Sequence, residues 1–215
     1  MPTLYSYFRS SAAYRVRIAL NLKGLDYDTV PVHLVRDGGE QLKPAYRALN
    51  VNALVPTFVD DGVNLHQSLA IIEYLEDVHP TPALLPADPV ARAQVRALSL
   101  DIAADIHPID NLRVLRYLKH DLGVSEDQKN AWYVHWVTEG FKALEARLAA
   151  RPTPGTFVFG DTPTMADCCL VPQVYNATRF KVDMTPFPNI AAIDAHCQTL
   201  DAFRRAAPEA QPDAE

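Results

Sequence analysis

The chain has 215 residues, 48% of them apolar, and a formal net charge of −6. That content supports one large or two modest buried cores and excludes a disordered chain. The acidic balance without a long basic run argues against a nucleic-acid partner, and no apolar stretch or basic-then-apolar leader points to a membrane or to secretion, so a cytoplasmic protein is expected.

Residues 3–7 alternate like a strand, and residues 11–23 carry Val16, Ala19, Leu20 and Leu22 at helical spacing with Gly24 as the stop. Ser10 and Ser11 stand where strand hands over to helix and read as N-cap candidates. The same helix start favours a bound anion, so a thiol held there would lose its proton more readily. Residues 27–34 read as a second strand, and the turn Asp37-Gly38-Gly39 leads to a helix near 40–48. On the residues alone Gln41 is an ordinary surface position. Residues 55–59 and 63–65 pair around the turn Asp60-Asp61-Gly62, with Pro56 an edge-strand proline. Ser68 then caps a helix over 69–78 that ends before Pro80. This β-α-β-α-β-β-α order predicts an α/β, thioredoxin-like domain over residues 1–80.

Residues 79–88 are proline-rich and lack periodicity, which marks a linker, placed at 81–88. An all-α domain is expected over 89–215. Its helices are read at 89–119, 126–150, 164–179 and 188–203, and the pair His107-Pro108 should kink or end the first of them. A lone histidine there is structural more often than not. Arg113 and Arg179, taken alone, are solvated or ion-paired cations. Thr164-x-x-Asp167 reads as a capping box. Cys168, Cys169 and Cys197 are odd in number and form no Cys-x-x-Cys, so reduced thiols are expected. The seven histidines show no metal-ligand spacing, and no metal is expected. The tail after Pro208 is acidic and rich in small residues, and is expected to be loosely ordered.

The run Tyr5-Ser6-Tyr7-Phe8-Arg9-Ser10-Ser11, followed by Tyr14-Arg15-Val16-Arg17-Ile18-Ala19-Leu20, resembles the signature of zeta-class glutathione transferases. Maleylacetoacetate and maleylpyruvate isomerases belong to that class. The stretch from Gln67 to Glu76, then Leu84-Leu85-Pro86, Leu170-Val171-Pro172-Gln173-Val174 and Arg179-Phe180-Lys181-Val182-Asp183, carry the resemblance over nearly the whole chain. Ala12 stands where the family carries Cys, and Tyr14 where it often carries Trp.

The resemblance implies the glutathione transferase fold and glutathione as cofactor. It implies cis–trans isomerisation of maleylacetoacetate to fumarylacetoacetate, in aromatic amino acid breakdown, with minor transferase activity beside it. Maleylpyruvate isomerisation is the alternative, and a non-catalytic glutathione-binding module the second. The glutathione contacts it implies are Ser10, Ser11, Arg15, Gln41, Val55, Pro56, Gln67, Ser68, His107 and Asn111. Val55, before a cis proline, would pair with the cysteinyl part as an added strand would. Ser68, with Gln67 beside it, would take the γ-glutamyl carboxylate, and Gln41 the glycyl end. His107 and Asn111 match positions lining the cleft between the domains. The catalytic set is Ser10, Ser11 and Arg9, with Ser10 the first choice of thiolate donor. A small dicarboxylate substrate would meet Arg9, His107, Arg113 and Arg179. A homodimer is implied as well. Ala12 in place of Cys implies that the cysteine is dispensable for isomerisation.

Overall fold

The structure is a computed structural model and describes residues 1–215. The chain groups into two compact units, Met1–Leu84 with Gln198–Glu215, and Leu85–Cys197. The sequence-based boundaries give 198–215 to the helical domain; the structure groups those residues with the first unit.

The first unit is built on a four-stranded sheet in the order β2-β1-β3-β4. Strand β1 is Thr3–Ser6, β2 Asp28–Pro31, β3 Thr57–Asp60 and β4 Val63–His66. β1 runs parallel to β2, with Leu4 opposite Thr29, and antiparallel to β3, with Leu4 opposite Phe58. The β3–β4 hairpin closes through Asp61 and Gly62, both at positive φ (44° and 81°), the two-residue turn that follows the strand twist. Helix α1, Ser11–Leu22, buries Ala13, Val16, Ile18, Ala19 and Leu20, and α3, Ser68–Val78, buries Ile71, Ile72 and Leu75. This is the expected thioredoxin-like arrangement.

Three local readings change. The second strand keeps only four of the eight expected residues. The helix expected near 40–48 is a 3-10 turn, Glu40–Leu42, followed by α2, Pro44–Leu49, because Pro44 opens a new helix after extended Lys43. Ser68 is the first residue of α3; its N-cap is Gln67.

The second unit is entirely helical: α4 is Pro89–Leu100, α5 Leu112–His120, α6 Glu126–Ala149, α7 Met165–Arg179 and α8 Pro188–Cys197. After α4 the backbone widens into a π-turn, Asp101–Ile106, then a 3-10 turn, Pro108–Asp110, before α5 starts. This is the break expected at His107-Pro108. Gly140 of α6 makes it fit: a Cβ there would lie 2.3 Å from Ile106 Cγ1. The capping box opens α7. Asp167 Oδ2 accepts from the Thr164 N–H (2.7 Å) and hydroxyl (2.9 Å), while Oδ1 accepts from Val158 N–H (2.8 Å). The helix expected over 188–203 is two helices. The second, α9 (Asp201–Ala206), packs on α1 in the first unit.

Candidate active site

In the first unit Arg9, Ser10 and Ser11 stand where β1 hands over to α1. Ser10 is the N-cap of α1, and its Oγ accepts the Ala13 N–H at 3.2 Å. A hydroxyl that accepts as a cap still has its own proton to donate. Ser11 is the first helical residue and is buried. Arg9 is half-buried. Its Nε and Nη2 donate to Tyr7 Oη at 3.2 and 2.7 Å, and its guanidinium lies over the Phe8 ring, 4.9 Å from the centroid. Aromatic neighbours therefore orient this cation and leave its charge unneutralised.

Arg17 fixes the turn from beneath. This fully buried guanidinium donates to Phe8 O (2.9 Å), Ser6 Oγ (3.0 Å) and Ala206 O (2.9 Å). Sequence reasoning assigned it no role. Its signal is visible, since Arg17 occupies the fourth position of the apolar stripe Ala13, Val16, Leu20.

Three further features lie in the first unit. The Val55–Pro56 peptide is cis, as expected, and the β1–β3 register begins only at Thr57, so Val55 lies outside the ladder. Its loop is pinned from α2: Tyr46 Oη donates to Leu54 O at 2.8 Å, and Asn50 Nδ2 donates to the same oxygen at 2.9 Å. Both were missed, being polar residues that act 4 to 8 positions along the chain. Gln67 has φ 70°, which a non-glycine residue rarely adopts and which clusters at functional sites. Next to it, Ser68 Oγ accepts from Arg15 Nη1 at 3.2 Å, both residues buried. A helix N-terminus, a hydroxyl and a guanidinium thus meet, a set that suits a carboxylate. Gln41 is buried rather than a surface residue. Its Nε2 reaches Leu34 O at 3.4 Å while its buried Oε1 has no hydrogen-bond partner. Gly39 (φ 114°) makes room, because a Cβ there would lie 2.7 Å from the Gln41 amide.

In the second unit, Asn111 caps α5 by accepting the Arg113 N–H at 3.1 Å, and its Nδ2 stands 3.3 Å from His107 Nε2. Trp132 Nε1 donates to Ile109 O at 3.0 Å, tying this turn to α6. Arg179 is exposed and lies over Phe180, 5.0 Å from the centroid, while Phe180 stacks on Tyr133 at 3.6 Å. Arg113 is exposed. Arg9, Arg113 and Arg179 stand outside every ion pair of the chain. Solvation or an acid partner was the plain expectation for Arg113 and Arg179; the acid partner is missing. Asp110 was not singled out. It is buried, neither carboxylate oxygen has a hydrogen-bond partner, and burial pushes its pKa up to about 8. Burial, then the Asp110 charge, also raises Tyr133.

Residues 4–83 match the family model for the glutathione S-transferase N-terminal domain, and residues 137–193 that for the C-terminal domain. A probable maleylacetoacetate isomerase of Vibrio cholerae is 54% identical, over 98% of this chain and 97% of its own. The holo structure of a maleyl pyruvate isomerase, described as a bacterial zeta-class glutathione S-transferase, is 55% identical, with a TM-score of 0.95 over 99% of this chain and 100% of its own. The chain belongs to the zeta class of the glutathione S-transferase family. A third relative, the maleylacetoacetate isomerase of Methylobacterium extorquens, is 39% identical with a TM-score of 0.95 over 99% of both chains. Its structure holds malonate and glutathione.

Proposed function

We propose that this protein is a glutathione-dependent cis–trans isomerase that converts maleylacetoacetate to fumarylacetoacetate. The observation that carries the reading is the pair Arg9–Ser10, an un-ion-paired guanidinium beside a hydroxyl at a helix N-terminus. The residues present fit glutathione. The buried, unpartnered Gln41 Oε1 suits its glycyl end, the Arg15–Ser68 pair at the start of α3 its γ-glutamyl carboxylate, and the unladdered Val55 backbone beside Pro56 its extended middle. Gln67, His107 and Asn111 complete the contact set. When bound, glutathione supplies a thiolate that adds to the maleyl double bond, permits rotation about it, and is returned.

The chain's own groups do the rest. A free thiol is mostly protonated at neutral pH, since its pKa lies near 8.5. A hydrogen bond donated by Ser10, with the α1 N-terminus behind it, holds the thiolate form; Ser11 is the second donor. The substrate brings two carboxylates toward that negative sulfur, a repulsive approach. Arg9, Arg113 and Arg179 offset it by binding the carboxylates in bidentate fashion, and His107 holds a carboxylate or polarises the keto oxygen. Ala12 keeps this scheme free of a cysteine beside the thiolate. The uncovered apolar side chains Val90 and Leu100 of α4 support a homodimer, and the three buried free thiols support a cytoplasmic setting.

Arg9→Ala is expected to lower isomerisation kcat/KM by about tenfold or more while leaving glutathione affinity within about twofold. Unchanged turnover and substrate KM would remove Arg9 from the carboxylate role. A higher kcat/KM on maleylpyruvate than on maleylacetoacetate would transfer the substrate assignment. A bound glutathione thiol with a pKa no lower than that of free glutathione would make the protein a binding module instead.

A further inference from the structure

The acidic tail is ordered by specific contacts within the first unit, against the expectation of looseness. Gln211 Nε2 donates to Arg205 O and Ala207 O, both at 2.9 Å, which turns the chain back after α9. Two carboxylates then reach the segments carrying Arg9 and Gln41. Asp213 Oδ2 accepts the Phe8 N–H at 3.0 Å across 205 residues of sequence. With Arg17 on Phe8 O at 2.9 Å, the residue preceding Arg9 is held at both its N–H and its C=O. Glu215 Oε1 lies 2.7 Å from Arg36 Nη2 and 3.2 Å from His33 Nε2.

His33 passes this contact on. Its Nδ1 accepts the N–H groups of Val35 (3.2 Å) and Arg36 (2.7 Å), which leaves the ring proton on Nε2, facing Glu215. Its own backbone exchanges bonds with Glu40, accepting from Glu40 N–H (2.8 Å) and donating to Glu40 Oε2 (2.7 Å). Glu40 adjoins Gln41, whose amide rests on Leu34 O. The His33 ring also packs edge-on against Tyr7, 4.9 Å between centroids, and Tyr7 Oη is the acceptor that orients Arg9. One imidazole therefore joins the tail to both the Gln41 loop and the Arg9 turn.

We infer that Asp213 and Glu215 are positioning residues, a C-terminal strap that sets the Phe8–Arg9 turn and the Leu34–Gln41 loop for glutathione and for the dicarboxylate substrate. The inference rests on the proposed isomerase reading. The loop is short of other anchors: it contains two 3-10 turns, and Asp37, Gly38 and Gly39 are all at positive φ. A loop without regular ladders gains most from a distant tether.

The test uses the full chain with Glu215→Gln, Asp213→Ala and Asp213→Asn. Glu215→Gln is expected to weaken glutathione binding by about fivefold in calorimetry and to raise its KM equally, with kcat at saturating glutathione near wild type. Asp213→Ala is expected to raise the substrate KM about fivefold, and Asp213→Asn, which keeps a neutral acceptor for the Phe8 N–H, to recover most of that loss. Added salt should weaken wild-type glutathione binding more steeply than that of Glu215→Gln, narrowing the gap between them, because the half-exposed Glu215–Arg36 pair is screened only where it exists. Unchanged glutathione affinity and substrate KM in Glu215→Gln and Asp213→Ala overturn the strap, as does a fall in Tm alone. Glutathione affinity is read without turnover, so a wild type that binds glutathione and isomerises no maleyl acid defeats the activity while the affinity arm still decides the strap. A wild type that binds no glutathione overturns both.

Discussion

Ser10 carries one observed load, the helix cap, and one proposed load, the thiolate hydrogen bond, on the same oxygen, and the two can be separated. As N-cap it accepts the Ala13 N–H, a contact whose loss typically costs about 1 kcal/mol. As thiolate donor it must give its proton. Aspartate caps helices as well as serine does, yet at neutral pH it has no proton to give and adds a negative charge beside the sulfur. Ser10→Asp is therefore expected to keep Tm within about 2 °C of wild type. It should cost isomerisation about 10²-fold or more in kcat/KM, the usual effect of removing one donor to a developing anion. Ser11→Ala should leave most activity. The reverse ranking, with Ser11→Ala the more damaging, would make Ser11 the donor. The sequence shows both hydroxyls at the right place; the cap geometry separates them, because only one can be the N-cap while the next residue enters the first turn.

At the scale of elements, a buried ion pair joins α1 to α3. Lys23 Nζ lies 2.8 Å from Glu76 Oε2 and also donates to His79 O (2.7 Å) and Pro82 O (2.9 Å), while Glu76 Oε2 accepts the Leu84 N–H at 2.9 Å. Lysine's three protons all have acceptors, and they close the end of α1, the end of α3 and the chain leaving it. Lys23→Ala strands the buried Glu76 carboxylate and leaves two carbonyl acceptors, His79 O and Pro82 O, without their donor, so a loss of about 3–5 kcal/mol is expected in denaturant unfolding. A loss under about 1 kcal/mol would show that water replaces the ammonium. Contacts of this kind explain what the sequence could show at this scale. The order of strands and helices follows from periodicity and turn residues, and so do the caps at Ser10 and Thr164. The break between α8 and α9 does not, because α9 turns away to pack on α1 and to offer Ala206 O to Arg17. The ordered tail is invisible for the same reason: its partners, Phe8, His33 and Arg36, lie nearly the whole chain away, and local pattern holds no trace of them.

For the whole molecule, two buried carboxyl groups set the trend of stability with pH. Burial raises Asp110 to about 8, with no hydrogen bond to offset it. Burial also raises Asp167 to about 6, although the bonds from Val158 and Thr164 pull the other way. An acid whose folded pKa is raised keeps its proton longer in the folded state than in the unfolded one. Stability is then full below about pH 4, where both states are protonated, and declines as pH rises to the folded pKa. Asp167 is spent by about pH 6, and Asp110 continues the decline to about pH 8. The depressed carboxylates Glu126, Glu139, Asp183 and Glu215 are surface groups whose partners favour the charged form, so they oppose this trend only at the acid end. The Tm is accordingly expected to peak in mildly acidic buffer and to fall between pH 5 and pH 8 (about). Asp110→Asn removes the ionisation while keeping the shape. It should raise stability at pH 8 by about 1–3 kcal/mol, the usual penalty of a buried unpaired polar group, and the gain should vanish toward pH 4. Tyr133 is the group that feels the Asp110 charge, and it stacks on Phe180, which Arg179 overlies, so the variant also probes Arg179 as the proposed substrate anchor. An ionised Asp110 near Tyr133 and its stacked Phe180 would repel an incoming substrate carboxylate, so Asp110→Asn is expected to lower substrate KM at pH 8 more than at pH 6. Equal KM at both pH values would confine Asp110 to stability.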